Sequence, residues 1–317
     1  MSKNNKKLRI RVLGVLTLSF LLIGTFSTIA TATTYYSTFM KGTEFFQVAT
    51  YNETAWQTTV NSNGTPSDWF DGDANITGAQ SKYTTLGWAS STKDTYEMLS
   101  VFFPQIMLVR NYGYNETEVN SNYTNLYALT SCLRSEWYFI SGTFNESSNS
   151  ATDMPIALKN PTDYEKILDD YNRIAYSIQN SSNPSLIPYK SFFPNITADK
   201  FSWNLAMSSL AMGTSINRYI QELIDTLGCE NVSYSGNTLI FERNGEANYT
   251  VEMTYGAQGT LVSFVIKDPV GIVIYQFISI GDTNWIVYII AGVIIGCFSV
   301  LVVYIIYKKR KFNKNNR

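Results

Sequence analysis

The 317-residue sequence contains no histidine, only three cysteines, and few charged residues (15%). The absence of histidine excludes Ser-His-Asp and Cys-His hydrolases, HExxH metalloproteases and imidazole-ligated metal sites, because no other side chain titrates near neutrality without strong perturbation. Three cysteines cannot build a four-cysteine zinc site within one chain. Apolar residues make up 45% of the sequence, which argues against a disordered polyelectrolyte. We expect no cofactor and no metal.

The net charge of −1 hides an uneven distribution. All 25 Asp and Glu lie between Glu44 and Asp282, whereas eleven of the 24 Lys and Arg lie in residues 1–11 and 308–317. The middle of the chain therefore carries 13 basic against 25 acidic residues. Two basic ends beside apolar runs follow the positive-inside rule, with both ends cytoplasmic and the middle outside. The acidic middle also argues against nucleic acid as a partner.

A 23-residue run without charge, Trp285–Tyr307, precedes the basic C-terminal tail. As a helix it would extend about 34 Å, enough to cross about 30 Å of hydrocarbon. Aromatic residues lie at both of its ends, as in membrane spans. We predict a single transmembrane helix in the lipid bilayer, with 308–317 as a cytoplasmic tail. Gly292 and Gly296 form a G-x-x-x-G motif, which favours a homodimer through this helix.

The N-terminus has the pattern of a secretory signal peptide. Basic residues 1–11 precede the apolar run Val12–Ile23, and Ala30-Thr31-Ala32 fits a signal-peptidase site. We expect cleavage after Ala32, so that 1–32 is a signal peptide. The alternative is an uncleaved transmembrane anchor, because Val12–Ala32 is long enough to span. Under both hypotheses, residues 33–284 are exported and the cell membrane is the expected location.

The exported segment contains ten N-x-S/T sequons, roughly twice the number expected from its composition alone. Such asparagines accept glycans only on the exported side of a membrane, which is where the charge pattern places them. The alternative is that an Asn- and Thr-rich composition generates sequons that are not used. The predicted glycosylation sites are Asn52, Asn63, Asn75, Asn115, Asn122, Asn145, Asn180, Asn195, Asn231 and Asn248.

The C-terminal part of the exported segment is typical of an antiparallel β-meander. Four runs rich in β-branched and aromatic residues are separated by turns, and the first turn, Asn244-Gly245, is a strong two-residue hairpin signal. A lone meander leaves one apolar face that needs cover, and helices provide it in α+β domains. We therefore predict an α+β domain with helices packed on the strands Asn237–Arg243, Ala247–Tyr255, Thr260–Lys267 and Ile272–Ile278.

Polar and apolar residues alternate in the second of these strands. A glycan on Asn248 must point to solvent, which puts every second residue on the solvent face. A shift by one residue would bury the sequon. The glycan and the apolar pattern select the same core face: Tyr249, Val251, Met253 and Tyr255.

Two amphipathic helices are predicted before the meander. Thr162–Asn180 has apolar residues at helical spacing and a capping-box spacing between Thr162 and Glu165. The second helix, Asp199–Leu227, ends at Gly228 and contains Gly213 as a possible kink. Residues 183–197, between the helices, contain three prolines and several aromatic residues. We consider this loop the best candidate for a binding surface or lid; the alternative is that it only wraps the core.

Residues 43–155 give weaker signals and no recognisable fold family. Phe45–Tyr51 and Glu136–Phe144 have strand patterns. Residues 52–92 are rich in Asn, Ser, Thr and Gly, which predicts a loop. Thr95–Arg110 is an apolar run in which Pro104 begins or breaks a helix.

Cys132 and Cys229 are the only cysteines of the exported segment. An oxidising compartment favours their pairing, and we predict a disulfide that joins the N-terminal region to the end of the second helix. Spacing alone does not show that the two residues approach each other. Cys297 lies in the predicted span and is expected to be a buried thiol.

Two local motifs resemble parts of functional sites but are incomplete. Asp71–Asn75 matches the start of an EF-hand loop, yet Ile76 and Lys82 stand where the loop needs Gly and Glu. Ser90–Lys93 matches the S-x-x-K motif of penicillin-recognising enzymes, but their K-T-G and S-D-N elements are absent. No residue is predicted to be catalytic. The spacing of the carboxylates suggests no pair, although 25 acidic residues leave one open.

Taken together, these patterns predict a membrane-anchored cell-surface glycoprotein with an extracellular binding or interaction domain. Its partner would be a surface protein, a polymer or a small ligand. One alternative is the ectodomain of a sensory receptor, or of a complex subunit, held between two spans. Another is a membrane-tethered, carboxylate-dependent hydrolase. We expect residues 33–284 to be the extracellular domain and 285–307 the span.

Overall fold

The computed structural model describes residues 34–110, 125–145, 150–208 and 210–281, without the side chains of 109 and 110. Apart from Thr34, these residues belong to the structural unit that starts at Tyr35. No helix within them is long and apolar enough to cross a membrane. Several predictions lie outside the described residues: the signal peptide or anchor in 1–32, the span 285–307 with Gly292, Gly296 and Cys297, the tail 308–317, and the sequons Asn115 and Asn122.

The described strands form one antiparallel sheet. They are β1 (Gly42–Tyr51), β2 (Gln80–Asp94), β3 (Leu126–Ile140), β4 (Ser150–Asp153), β5 (Ile156–Leu158), β6 (Val232–Ser235), β7 (Thr238–Asn244), β8 (Asn248–Tyr255), β9 (Leu261–Lys267) and β10 (Val273–Ser279). The order across the sheet is β4-β3-β2-β1-β10-β9-β8-β7-β6, and β5 pairs with β3 next to β4. Because β1 pairs with β10, the N-terminal strands and the meander share one sheet.

The described helices, together with this sheet, confirm the predicted α+β class. They are α1 (Glu53–Thr59), α2 (Ser67–Phe70), α3 (Thr95–Phe102), α4 (Ile106–Arg110), α5 (Asp163–Gln179), α6 (Ala198–Ser208) and α7 (Ile216–Leu227), with a 3₁₀ helix at Ile187–Phe192. Helix α5 contacts α6 and α7, and α7 contacts β6 and β7. One face of the meander is thereby covered, and the main apolar core lies between sheet and helices.

All four predicted meander strands are present, as β7 to β10. On β8 the predicted core residues are buried, whereas Asn248 is exposed. The prediction of a two-residue turn at Asn244-Gly245 is wrong. Asn244 pairs with Asn248, so the loop has three residues, 245–247. Gly245 is needed there since a Cβ atom would collide with the carbonyl oxygen of Val60.

Helix α5 agrees with the predicted boundaries, but its N-terminus is capped differently. The Thr162 side chain makes no capping hydrogen bond. Instead Asn160 Oδ1 accepts hydrogen bonds from the Thr162 backbone N (3.3 Å) and hydroxyl (2.9 Å). The side chain of Asn160 therefore organises the turn before the helix.

The single helix predicted at Asp199–Leu227 is wrong, because the chain leaves the helix after α6 and re-enters it at α7. Between them, Ala211 N donates to Ile156 O (2.8 Å) and Met212 N donates to Gly259 O (2.7 Å). These partners replace helical hydrogen bonds. Gly213 fits because a Cβ atom there would press on Tyr35. The glycine thus marks a break between two helices instead of a kink within one.

Residues 52–92 were predicted to be a loop, and this is wrong. They contain α1, α2 and most of β2. The half of β2 that follows Leu86 pairs with β3 alone among the described strands, and most of its side chains are exposed. Such a strand lacks the alternation that a half-buried strand shows. The following apolar run, Thr95–Arg110, is split into α3 and α4 around Pro104.

The proline-rich loop 183–197 wraps the core, which was the alternative to a lid. Asn172 on α5 bonds both the N–H and the carbonyl group of Ile196, each at 3.0 Å. Tyr171 Oη donates to Pro194 O (3.1 Å), and Phe193 is fully buried. A segment tied down in this way is not arranged to open.

The predicted disulfide between Cys132 and Cys229 is not present, since both thiols are free. Cys132, on β3, lies in a small cluster with Phe39, Ala157 and Ala211. Cys229 follows α7 and packs against the main core, with its sulfur 3.5 Å from Ser202 Oγ. Each cysteine fills a different apolar cluster, and sequence spacing could not reveal this.

We therefore expect both thiols to be recovered as free cysteine. Full-length protein unfolded in an alkylating reagent without reductant will carry the label on the Cys132 and Cys229 peptides. In the folded protein both will react slowly, because burial raises the pKa of the Cys132 thiol and raises that of Cys229 to about 11. A cross-linked peptide pair in the mass spectrum would contradict the structure.

Candidate functional site

A partly enclosed cavity of about 210 Å³ lies between the sheet and the helices. The sheet contributes residues of β1 to β4, β9 and β10, and α2 and the last turn of α6 form the opposite wall. Asp71 and Ser208 line the cavity and are exposed, so they mark its mouth. Pockets for drug-sized ligands start at about 300 Å³. This cavity therefore suits a smaller molecule.

The strand register brings four polar side chains together on the cavity side of the sheet. Arg134 and Glu136 are two residues apart on β3 and so share a face. Asp153 on β4 lies directly opposite Arg134, and Tyr83 on β2 lies directly opposite Glu136. All four line the cavity. Directly opposite residues have Cβ atoms about 5 Å apart, so these groups form one cluster.

Hydrogen bonds hold this cluster in place. Tyr83 Oη donates to Glu136 Oε1 at 2.8 Å. Arg134 Nη2 lies 3.2 Å from Glu44 Oε2, and the Arg134 side chain is only 6% exposed. The single guanidinium of the cluster is therefore committed to a carboxylate outside the cavity lining.

The pKa values of the two carboxyl groups reflect their surroundings. Burial raises the pKa of Glu136, and the nearby charges of Asp153 and Asp71 raise it further, against the opposing effects of Tyr83 and Arg134. Burial also raises the pKa of Asp153. Both shifts mean that burial disfavours the charged form of these carboxyl groups. Perturbed carboxyl groups in a cavity are typical of functional sites.

Aromatic rings form the floor of the cavity. Phe264 and Phe277 are stacked with centroids 5.4 Å apart. Phe70 meets both rings edge-on, at 4.8 Å and 4.9 Å. Phe46 packs edge-on against Tyr83 at 5.3 Å, which joins the aromatic floor to the polar cluster. Each of these rings packs against at least one other ring.

Thr260 adds an unsatisfied polar group to the same cavity. Its side chain is 2% exposed, and its Oγ1 atom has no hydrogen-bond partner within the described residues. A buried hydroxyl without a partner is costly. A ligand in the cavity can supply the missing bond.

Comparison with protein-family models, curated proteins and solved structures finds no match for this chain. The cavity and the sequence patterns are therefore the features that bear on function.

The described sequon asparagines are not part of the cavity lining. Of the eight, only Asn75 is half-buried, and its Oδ1 accepts a hydrogen bond from Ser67 (3.1 Å). None of the eight lines the cavity. The exposed ones are Asn52, Asn63, Asn145, Asn180, Asn195, Asn231 and Asn248.

A second depression is a weaker candidate. It is lined by Asn231 and Asn248, together with Asp199, Glu242 and Arg243. Asn231 Nδ2 donates to Asp199 Oδ2 at 2.8 Å. Glycans on the two asparagines would occupy this space, so a ligand site there conflicts with the predicted glycosylation.

The two incomplete motifs do not form sites. In the EF-hand-like segment, Asp73 Oδ2 accepts hydrogen bonds from the Ser141 backbone N (2.8 Å) and hydroxyl (2.7 Å). Ser90 and Lys93 lie on a strand, where residues three apart point to opposite faces. Among the described residues, no group of three or more Cys, Asp or Glu side chains is placed to hold a metal ion.

Sequence reasoning missed the residues of the cavity. One signal was present: Arg134 and Glu136 are charged residues at strand spacing beside the apolar run Trp137–Ile140. Two charges on one face of an otherwise apolar strand indicate a buried polar site. Asp153 and Thr260 gave no such signal, because only the sheet pairing and the close approach of the hairpin loop bring them there.

Proposed function

We propose that this chain is a membrane-anchored cell-surface glycoprotein whose exported domain binds a small ligand. The observation that carries the binding function is the cavity, where Arg134, Glu136 and Asp153 meet an aromatic floor beside the unpartnered hydroxyl of Thr260. Sites for small molecules combine such apolar walls with a few placed polar groups.

The sequence supports the membrane anchor and the topology. The uncharged run Trp285–Tyr307 is followed by six basic residues in ten, and the N-terminal apolar run is preceded by five more. Both basic ends would lie in the cytoplasm. The acidic domain between them would face outward, where its charge favours solubility.

The exposure of the sequons supports glycosylation. Seven of the eight described asparagines are exposed, and a glycan requires a surface position. None of these asparagines lines the cavity. A glycosylated domain with a free cavity is therefore sterically consistent.

A carboxylate-dependent hydrolase is the second candidate function. Glu136 and Asp153 are diagonal neighbours in the β3–β4 register. Diagonal neighbours have Cα atoms about 7–8 Å apart, which brings their carboxyl groups into the same range. The carboxyl groups of inverting glycosidases lie about 6.5–9.5 Å apart. Against this candidate, the pKa values of Glu136 and Asp153 are both raised, whereas an acid and base pair needs values that differ.

The topology is tested on the full-length protein in membranes. We expect it to stay in the membrane pellet after carbonate extraction, to gain mobility after enzymatic removal of N-glycans, and to begin at Thr33. A protein that washes off, or that does not change in mobility, contradicts the anchor or the glycans respectively. Finding Met1 or Ser2 at the N-terminus favours the subunit held between two spans.

The binding function is tested by filling the cavity. The variant Ala206→Phe places a ring into the cavity from α6, and Ala247→Phe adds the same ring at an exposed loop position as the control. Small cations, anions and neutral sugars are screened for saturable binding by calorimetry, and chromogenic aryl glycosides are screened for hydrolysis. We expect binding by one class that Ala206→Phe alone abolishes. Hydrolysis lost in Glu136→Gln would instead favour the second candidate.

A further inference from the structure

We propose that the ligand is a small organic cation, a protonated amine with an apolar body, which rests on the proposed binding function. Its ammonium group would lie against Glu136, Asp153 and Thr260. Its apolar body would lie on Phe70, Phe264 and Phe277.

The charge of the cavity points to a cation. Its lining contains three acidic side chains, Asp71, Glu136 and Asp153, and one basic side chain, Arg134. Because Arg134 is already paired with Glu44 at 3.2 Å, its charge is shared with a fourth carboxylate. An ammonium group would supply the positive charge that the lining lacks. Burial raises the pKa values of Glu136 and Asp153, and the charges of Asp153 and Asp71 raise that of Glu136 further.

The hydrogen-bonding groups fit an ammonium donor. A primary ammonium has three N–H donors and no acceptor. Glu136 already accepts one bond from Tyr83, which leaves acceptor positions free on its carboxylate. Asp153 and Thr260 are two further residues of the lining with acceptor groups. Independently of charge, Thr260 on this lining is 2% exposed and its Oγ1 atom has no hydrogen-bond partner within the described residues, so a ligand donor can supply the missing bond.

The aromatic floor fits the rest of such a molecule. Rings of Phe70, Phe264 and Phe277 bury apolar surface and attract a cation held above their faces. A cavity of about 210 Å³ admits one ring with a short side chain. Anions are disfavoured by three carboxyl groups, and neutral sugars would leave the negative charge uncompensated.

The test uses full-length protein in detergent micelles and benzylamine as the probe. Benzyl alcohol is the neutral isostere and benzoate is the anion. In calorimetry at neutral pH, we expect saturable binding of benzylamine at least ten-fold tighter than that of benzyl alcohol, and none of benzoate. Equal binding of amine and alcohol, or preferred binding of benzoate, overturns the proposal.

Variants locate the binding site. Glu136→Gln keeps an oxygen that accepts the Tyr83 bond, and we expect at least a ten-fold loss of benzylamine affinity. Thr260→Val keeps the shape of the side chain, and the expected loss is about three-fold. Glu252→Gln is the matched control, since Glu252 pairs with Lys267 on β9 and does not line the cavity. A loss in Glu252→Gln equal to that in Glu136→Gln contradicts the assignment.

The outcomes separate this inference from the proposed function. If a neutral or anionic molecule binds and Ala206→Phe abolishes that binding, the cavity is a ligand site but the cation assignment is wrong. If no class of molecule binds, both proposals fail. Binding of benzylamine that survives Ala206→Phe places the amine elsewhere and also overturns the inference.

Discussion

Replacing Arg134 by methionine will lower the free energy of unfolding by about 3 kcal/mol at neutral pH. The guanidinium is 6% exposed and pairs with Glu44 at 3.2 Å, while Glu136 and Asp153 share its surroundings. Methionine keeps much of the volume and removes the only positive charge of the cluster. Removing one partner from a buried ion pair leaves uncompensated charge, and such changes cost about 3–5 kcal/mol. Urea unfolding of the variant and the wild-type protein measures the loss.

Arg218→Met is the matched control. Arg218 also pairs with a glutamate, Glu222, at 3.0 Å, but its side chain is 58% exposed. Exposed pairs of this kind contribute at most about 0.5 kcal/mol. Similar losses of stability in the two variants would show that the buried charge of Arg134 contributes no more than the exposed charge of Arg218.

The loss of stability caused by Arg134→Met will depend on pH. Arg134 lowers the pKa of Glu136 and of Asp153, so its removal raises both further above their values in the unfolded chain. A group with a raised folded pKa contributes stability below its unfolded pKa and loses it as the pH rises through the folded pKa. The loss of stability will therefore be largest at neutral pH and will shrink towards about pH 4, where the carboxyl groups are protonated. A pH-independent deficit would contradict this account.

Replacing Gly259 by alanine will cost about 3 kcal/mol of stability. Gly259 has φ +76°, and a Cβ atom there would run into the carbonyl oxygen of Met212. The two backbones are in direct contact, since Met212 N donates to Gly259 O at 2.7 Å. Alanine adds left-handed strain of about 1 kcal/mol and forces the helix break away from the hairpin loop. Thermal and urea unfolding measure the change.

Gly271→Ala is the control that measures the cost of left-handed backbone strain without a collision of the Cβ atom. Gly271 also lies in a hairpin loop of the meander and has φ +88°, but no atom lies within 4 Å of the position of its Cβ. We expect a loss of about 1 kcal/mol, from the backbone conformation alone. If the two glycine variants lose the same amount of stability, the close contact between Gly259 and Met212 does not add to the cost of the substitution.

The Gly259 contact also bears on the cavity. Thr260 follows Gly259, and Leu210 lies within the break between α6 and α7; both line the cavity. The hydrogen bond between Met212 and Gly259 therefore fixes one wall of the site. We infer that the break between α6 and α7 serves the site as well as the core, because a continuous helix would not bring its backbone to this loop.

Parts of the fold could be predicted because their signals are local. The alternation in β8 and the apolar spacing of α5 each depend on residues within one element. The prediction failed where a long-range partner decided the conformation. The break after α6 depends on backbone acceptors of Ile156 and Gly259, and β2 depends on pairing with β3. Neither partner is visible in the segment itself.

The sequence alone determined the α+β class, the meander, the solvent face of Asn248 and the pattern of charges on which the membrane topology is predicted. These follow from periodicity and composition, which act over a few neighbouring residues. Only the tertiary structure decided that Cys132 and Cys229 stay apart and that Tyr83, Glu136 and Asp153 line one cavity. The physical reason is that strand pairing joins residues distant in the chain, and its register fixes which side chains share a face.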